Sequence, residues 1–276
     1  MGWYKIFQAL SLDVAAGAAI FSLAIGQYFK VQIPCNVLIC LSISIWIIYT
    51  CDHLLDAKKI KGQASTFRHQ FHQKYQKSLA ILVFIILLTG IINMFYLPVE
   101  IIYIGLVGVV FSVVYFLLLQ HTSFWTKEIY IALVYTFGIF VGPIYFSYNN
   151  LQLSQWILIP QVFLLVFSNL LLFSWFDFLN DEKDGHPSMI RRWGIKKAER
   201  ILKIILVAGV CFSLTLIFLN FNYSTFIIQI ILLIMDGLLI MLFKQHKLFR
   251  KNDLYRMIGD GIFFIPLTFL LYEALC

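Results

Sequence analysis

Two short stretches hold the acids that could do chemistry. YTCDHLLDAKK, residues 49–59, carries Asp52 and Asp56; FDFLNDEKDG, residues 176–185, carries Asp177 and Asp181. Each is an Asp-x-x-x-Asp, and together they form a weak internal repeat. On a helix this spacing puts both carboxylates on one face, about 6 Å apart along the axis. Two carboxylates so placed repel each other, and burial beside hydrocarbon raises the cost. The C-terminal end of a helix disfavours negative charge as well. Three unfavourable effects at one place ask for a cation. Mg2+ suits: it takes oxygen ligands, keeps several waters and commonly binds through a few carboxylates together with substrate phosphates.

The elements that must position these acids are apolar runs. The chain has 276 residues, 61% hydrophobic, 17% aromatic and only 13% charged. A soluble domain has about 25% charged residues, so the composition implies an all-α, polytopic membrane protein. A span needs about 20 apolar residues. Nine runs qualify, at roughly 10–29, 33–51, 79–97, 101–119, 128–147, 156–176, 201–221, 225–243 and 257–275. The expected architecture is nine transmembrane helices around a central cavity. The opening segment, MGWYKIFQALSLDVAAGAAIFSLAIG, has one Lys, an Asp within its apolar run and no clear small-x-small cleavage site before a mature domain. It reads as a retained first span rather than a signal peptide.

Charge orients the spans. With the N-terminus in the cytoplasm, every Lys and Arg except Lys30 falls on the inner side, as the positive-inside rule requires. The net charge of +7 is then a topology signal that also suits anionic lipid or an anionic substrate, and it needs no nucleic-acid partner. Both Asp pairs follow an even-numbered span, so both meet the cytoplasmic face, in loops at about 52–78 and 177–200. One such pair alone reads as solvated interface acids beside neighbouring lysines. Two on the same side favour the shared cation.

Other features carry less. The five cysteines (Cys35, Cys40, Cys51, Cys211, Cys276) have no metal-binding spacing and read as single apolar residues in packed helices. Asp13, Asp236 and Asp260 fall inside spans, where an ionisable residue is a functional candidate. Asp260 lies between Gly259 and Gly261; it could orient a basic residue, touch a substrate, or pair with Arg256 one turn earlier. RHQFHQKYQK, residues 68–77, has too few ligands for a metal and reads as an amphipathic helix over the cytoplasmic mouth.

With these residues in view, the chain resembles the UbiA-type intramembrane prenyltransferases. Those have nine transmembrane helices and two Asp-rich motifs after helices two and six, and the resemblance covers nearly the whole chain. In menaquinone-type members the second motif continues to a Gly, a stretch of the form GKRT and a second Gly. Here Asp177, Asp181 and Gly185 fit, GHPSMIRRWG keeps the length to Gly194, Ser188 stands for the Thr, and Arg192 stands where a basic residue is usual. His186 and Pro187 replace the Lys and Arg. In FWTKEIYIALVYTFG, Lys127 matches a basic residue that faces the diphosphate, while Ser123 replaces a tyrosine. The first motif departs from the family pattern Asn-Asp-x-x-Asp-x-x-x-Asp: Asp52 and Asp56 match its last two acids, but Ile48 and Tyr49 replace the Asn and first Asp. Phe173 stands four residues before Asp177.

The resemblance implies a single domain over residues 1–276 in which both Asp pairs hold Mg2+ on an isoprenyl diphosphate, so that the allylic C–O bond ionises. Asp52 and Asp56 would hold one ion, Asp177 and Asp181 the other. Lys127 and Arg192 come first among the diphosphate-binding residues, followed by Lys59, Arg68, Arg191 and Ser188. Tyr49, Phe173, Phe176 and Asp260 are expected in the substrate cavity, where ring faces shield an allylic cation. The chain would sit in a bacterial inner membrane with its site on the cytoplasmic side, and the acceptor would be lipophilic. The rival from another class is a non-catalytic isoprenoid or lipid carrier on the same scaffold. An alcohol-phosphate transferase would carry Asp-Gly and Ala-Arg ahead of Gly-x-x-x-Asp-x-x-x-Asp, a pattern missing from the sequence.

Overall fold

The computed structural model describes residues 2–121, 126–148, 151–185, 187–219 and 222–275; Ser123, His186 and Cys276 lie outside them. Each apolar run forms a helix, because backbone in hydrocarbon must satisfy its own N–H and C=O groups within the segment. The helices are α1 (Gly2–Ala9), α2 (Leu12–Tyr28), α3 (Cys35–Lys59), α4 (Phe67–Lys74), α5 (Gln76–Met94), α6 (Val99–His121) and α7 (Lys127–Ser147). They continue as α8 (Leu153–Asp184), α9 (Met189–Trp193), α10 (Ile195–Leu219), α11 (Tyr223–Lys244), α12 (His246–Phe249), α13 (Leu254–Gly261) and α14 (Leu267–Leu275). No strand occurs among the described residues. Among the described residues, eight stretches are long and apolar enough to cross a membrane, and α1 with α2 makes a ninth if that bent pair is one span. The fold is an all-α, multi-pass membrane fold.

Two spans are broken. α1 and α2 meet at 72°, with Ser11 between them at φ 53°, a left-handed conformation no helix interior tolerates. The last span consists of α13, a tight turn at Ile262–Phe264, and α14. Pro266, which has no N–H to donate, precedes α14.

Two other helices outrun their apolar runs. α3 reaches Lys59 and α8 reaches Asp184, so both acid pairs ride on helix ends rather than opening loops. At 1.5 Å per residue α8 is about 48 Å long, well beyond a hydrocarbon layer of about 30 Å. Its last turns therefore stand clear of the apolar layer. Lys58 and Lys59 in the last turn of α3 complement the negative helix end, and Gly185 at φ 74° stops α8.

The core forms where α8 packs against α7, α10 and α11, and α2 against α3, α7 and the last span. Phe21, Ile139, Leu171, Leu172, Met235 and Leu239 are fully enclosed there. In contrast, α5 and α6 expose Phe84, Leu88, Val110 and Phe111, the surface expected against lipid. One polar knot crosses the core. The Gln161 and Gln229 amides bond to each other in both directions at 2.7 and 3.0 Å, and Gln161 Nε2 donates to Ser213 Oγ at 2.6 Å. Satisfied amides of this kind tie helices together in a membrane interior.

Candidate active site

The ends of α3, α7, α8 and α13 meet around one cavity, with α4 across it. Asp52 and Asp56 enter from α3, Asp177 and Asp181 from α8, Lys127 from the first turn of α7, and Arg256 and Asp260 from α13. α4 adds Arg68. The same cavity has an apolar and aromatic lining as well: Tyr49, Tyr135, Val166, Phe173 and Phe263.

At the first pair, Lys127 Nζ lies 3.2 and 2.9 Å from the two oxygens of Asp52 and 2.5 Å from Asp56 Oδ2. One ammonium thus spans both buried carboxylates. Tyr115 of α6 also donates to Asp52 Oδ1 at 2.9 Å, and its ring stacks on Tyr130 at 5.0 Å. At the second pair, Asp177 accepts from Tyr255 OH at 2.5 Å and from the Arg256 guanidinium. Phe176 lies outside the cavity wall and stacks flat on Tyr255 at 4.3 Å, fixing that phenol. Arg256 also lies over the Phe173 ring, 5.6 Å from its centroid. The Asp181 carboxylate lines the cavity and makes no hydrogen bond or ion pair among the described residues.

Asp260 pairs with Arg68, 3.8 Å away, and accepts from Gln8 at 3.3 Å. It is therefore not the partner of Arg256, although the two share a helix face; Asp177 on α8 takes that guanidinium instead. Gly259 makes this approach possible, since a Cβ there would sit 2.7 Å from Asn169 Oδ1 and overlap the Phe173 ring. Arg68 reaches His53 Nε2 as well, at 3.1 Å. Burial pulls the Arg68 guanidinium below the ordinary arginine range, but an arginine keeps its charge.

The 68–77 stretch forms α4 and runs on into α5. Its lead-in is fastened to α8: the Ser65 N–H and hydroxyl both donate to Asp184, at 3.1 and 2.7 Å. His53, His69 and His72 gather beneath it, with the His53 ring 6.3 Å from His69 and 5.3 Å from His72.

The remaining sequence candidates separate. Ser188 and Lys59 line the cavity, Lys59 at its exposed rim. Ser188 caps α9, accepting from Arg191 N at 3.4 Å. Arg191 and Arg192 are exposed and do not line the cavity. The five-residue α9 turns Met189 and Ile190 inward instead, so its arginines face out. Asp13 is buried in α2, with Oδ1 bonded to Val14 N at 2.9 Å. Asp236 lies apart from the cavity, against Gly209 of α10.

The structure adds residues that sequence reasoning missed. Arg256 and Tyr255 hold Asp177, and Tyr115 holds Asp52. Glu128, beside Lys127, accepts from Ser174 Oγ at 2.7 Å and from Met189 N at 3.1 Å, joining α7, α8 and α9. An acid in the first turn of a helix, next to the lysine already noted, was a signal for Glu128.

The comparisons agree with this geometry. A family model described as the UbiA prenyltransferase family matches residues 68–264. The chain belongs to that family. Solved UbiA homologues share its fold at low identity. The apo structure of a UbiA homolog from Aeropyrum pernix K1 aligns with TM-score 0.70 and 12% identity, covering 95% of this chain and 98% of that one. A UbiA homolog from Archaeoglobus fulgidus bound to GPP and Mg2+ aligns with TM-score 0.67 and 14% identity over 95% and 96%. A UbiA homolog from Archaeoglobus fulgidus bound to DMAPP and Mg2+ aligns with TM-score 0.64 and 12% identity over 95% and 98%. No curated protein sequence matches the chain.

Among the described residues, no three acidic, His or Cys side chains cluster closely enough to hold a metal unaided. The donors that remain, hard carboxylate oxygens led by Asp181, suit Mg2+ arriving with a diphosphate that supplies further oxygens.

Proposed function

We propose that this UbiA-family chain is an intramembrane prenyltransferase moving an isoprenyl group from a prenyl diphosphate to a lipophilic acceptor. The observation that carries the reading is the double lining of one cavity: carboxylates with Lys127, Arg68 and Arg256, together with aromatic and aliphatic side chains. A prenyl diphosphate likewise joins a charged head to an apolar chain. Relatives of the same fold bound to GPP or DMAPP with Mg2+ support it.

In this reading Asp177 and Asp181 hold Mg2+, which when bound offsets negative charge on the leaving diphosphate. Arg68 and Arg256 bind diphosphate oxygens, with Lys59 at the rim, and an arginine suits two oxygens at once; Lys127 stays between Asp52 and Asp56. Asp260 and Gln8 orient Arg68; Tyr255 orients Asp177. Phe173 and Tyr49 turn ring faces toward the cation left when the allylic C–O bond breaks. The apolar wall excludes water, which would otherwise capture that cation. The acceptor reaches the cavity from the bilayer. The concentration of basic residues on one side supports a site facing the cytoplasm.

A second reading has a specific observation behind it. Asp52, Asp56 and Asp177 already carry cations of the chain itself, as a non-catalytic isoprenoid carrier could. One assay separates the two. Protein in lipid is given geranyl, farnesyl or geranylgeranyl diphosphate with membrane lipid extract, with and without Mg2+, and diphosphate release is followed. Release that needs Mg2+ and is lost in Asp177→Asn supports the enzyme. Binding of a prenyl diphosphate without release supports the carrier.

A further inference from the structure

We infer that Lys127 does for the Asp52–Asp56 pair what a divalent cation would do, so the chain takes one divalent ion with its diphosphate, on Asp177 and Asp181, and not two. This rests on the prenyl diphosphate reading above and sets its metal stoichiometry.

Oxygen accounting carries the inference. Asp52 Oδ1 accepts from Tyr115 and Lys127, Asp52 Oδ2 accepts from Lys127, and Asp56 Oδ2 accepts from Lys127. The donors of the ammonium are thus directed at two carboxylates that are only 4% and 7% exposed. A cation held between two buried acids offsets their repulsion, and removing it would leave an uncompensated buried charge. An ion at this pair would first have to displace that ammonium. No further acid helps it do so: one turn before Asp52, the cavity wall is Tyr49. The second pair differs. Arg256 and Tyr255 engage Asp177 alone, while Asp181 makes no hydrogen bond or ion pair among the described residues.

The rival arrangement releases Lys127 onto the diphosphate and seats a second ion between Asp52 and Asp56. Counting ions decides between them. Purified protein in lipid nanodiscs is saturated with farnesyl thiolodiphosphate, which resists ionisation. Mn2+ then replaces Mg2+, because bound Mn2+ can be counted by electron paramagnetic resonance. Retention of the labelled analogue is measured separately.

The expected result is one Mn2+ per retained analogue. Asp52→Asn keeps that ion, Asp181→Asn loses it, and Lys127→Ala gains a second. Two ions in the unaltered chain overturn the inference, as does loss of the ion in Asp52→Asn. A folded Lys127→Ala that stays at one ion overturns the role given to Lys127. Analogue retained with no ion overturns the single-ion site. If Lys127→Ala does not fold, the unaltered chain and Asp52→Asn still decide. Failure to retain the analogue under any condition would instead remove the prenyl diphosphate reading itself.

Discussion

The two Asp pairs have the same spacing and follow the same kind of span, yet they are different chemical objects. Asp52 and Asp56 share one ammonium. Asp177 has its own guanidinium and phenol, and Asp181 keeps its carboxylate toward the cavity. Spacing sets how two acids face each other. What they can bind is set by a third element: the start of α7 for one pair, α13 for the other.

The largest expected effect comes at the second pair. In prenyl transfer, Asp181→Asn should lower the initial rate of diphosphate release by roughly 10²–10³, the scale for losing one charge-stabilising group. Asp56→Asn should cost less than Asp181→Asn; a reversed order would break the distinction between the pairs. The next effect is on stability. Lys127→Met strands two buried acids and should cost about 3–5 kcal/mol. Adding Asp52→Asn should restore part of it, read as a coupling in a double-mutant cycle of thermal unfolding in detergent. Additive losses would show that the ammonium does not bridge the pair.

Smaller effects sharpen the comparison. Tyr115→Phe and Tyr255→Phe each remove a hydrogen bond to a carboxylate and should cost about 1.5–3 kcal/mol in the same unfolding assay. The Tyr255 change should also weaken Mn2+ retention, whereas the Tyr115 change should not. The smallest effect lies in α4. Burial pushes the His72 imidazole below the ordinary histidine range; its Nδ1 lies 2.9 Å from Arg68 O, and the His53 ring sits against it. A folded-state pKa below the unfolded one means its contribution is complete above about pH 6.5 and declines as pH falls below that. Amide exchange in α4 should therefore quicken between pH 7.5 and 5.5 after correction for intrinsic rates. Exchange that is unchanged, or slower at acid pH, would exclude a neutral buried His72.

Much of the fold was readable in the sequence because a membrane allows so few solutions. An apolar run of the right length must become a helix; eight spans among the described residues qualify, with a ninth if the bent α1–α2 pair is one. Helix ends were less readable. Apolar length says where hydrocarbon stops, not where hydrogen bonding stops, so α3 and α8 extend past their runs. The partners of the acids were least readable. Arg256 meets Asp177 across 79 positions of chain, and no local pattern distinguishes it from Arg191 or Arg192. Those two adjoin the second motif in sequence, but α9 is too short to turn both faces inward, and it buries Met189 and Ile190. Glu128 opens α7, where an acid is favoured in any helix, so its position alone does not reveal its bonds to Ser174 and Met189.

The paired amides of the core have a consequence for biosynthesis. Gln229 is made 68 residues after Gln161. At 5–20 residues per second, Gln161 exists for about 3–14 s before its mate does. During that interval Ser213 of α10 can accept from the Gln161 amide, but the paired amide is missing. When α11 emerges, the amide selects one axial setting: a slip of a single turn would separate the two glutamines by about 5 Å. The pair therefore favours one docking of the C-terminal helices on a half that was inserted before them.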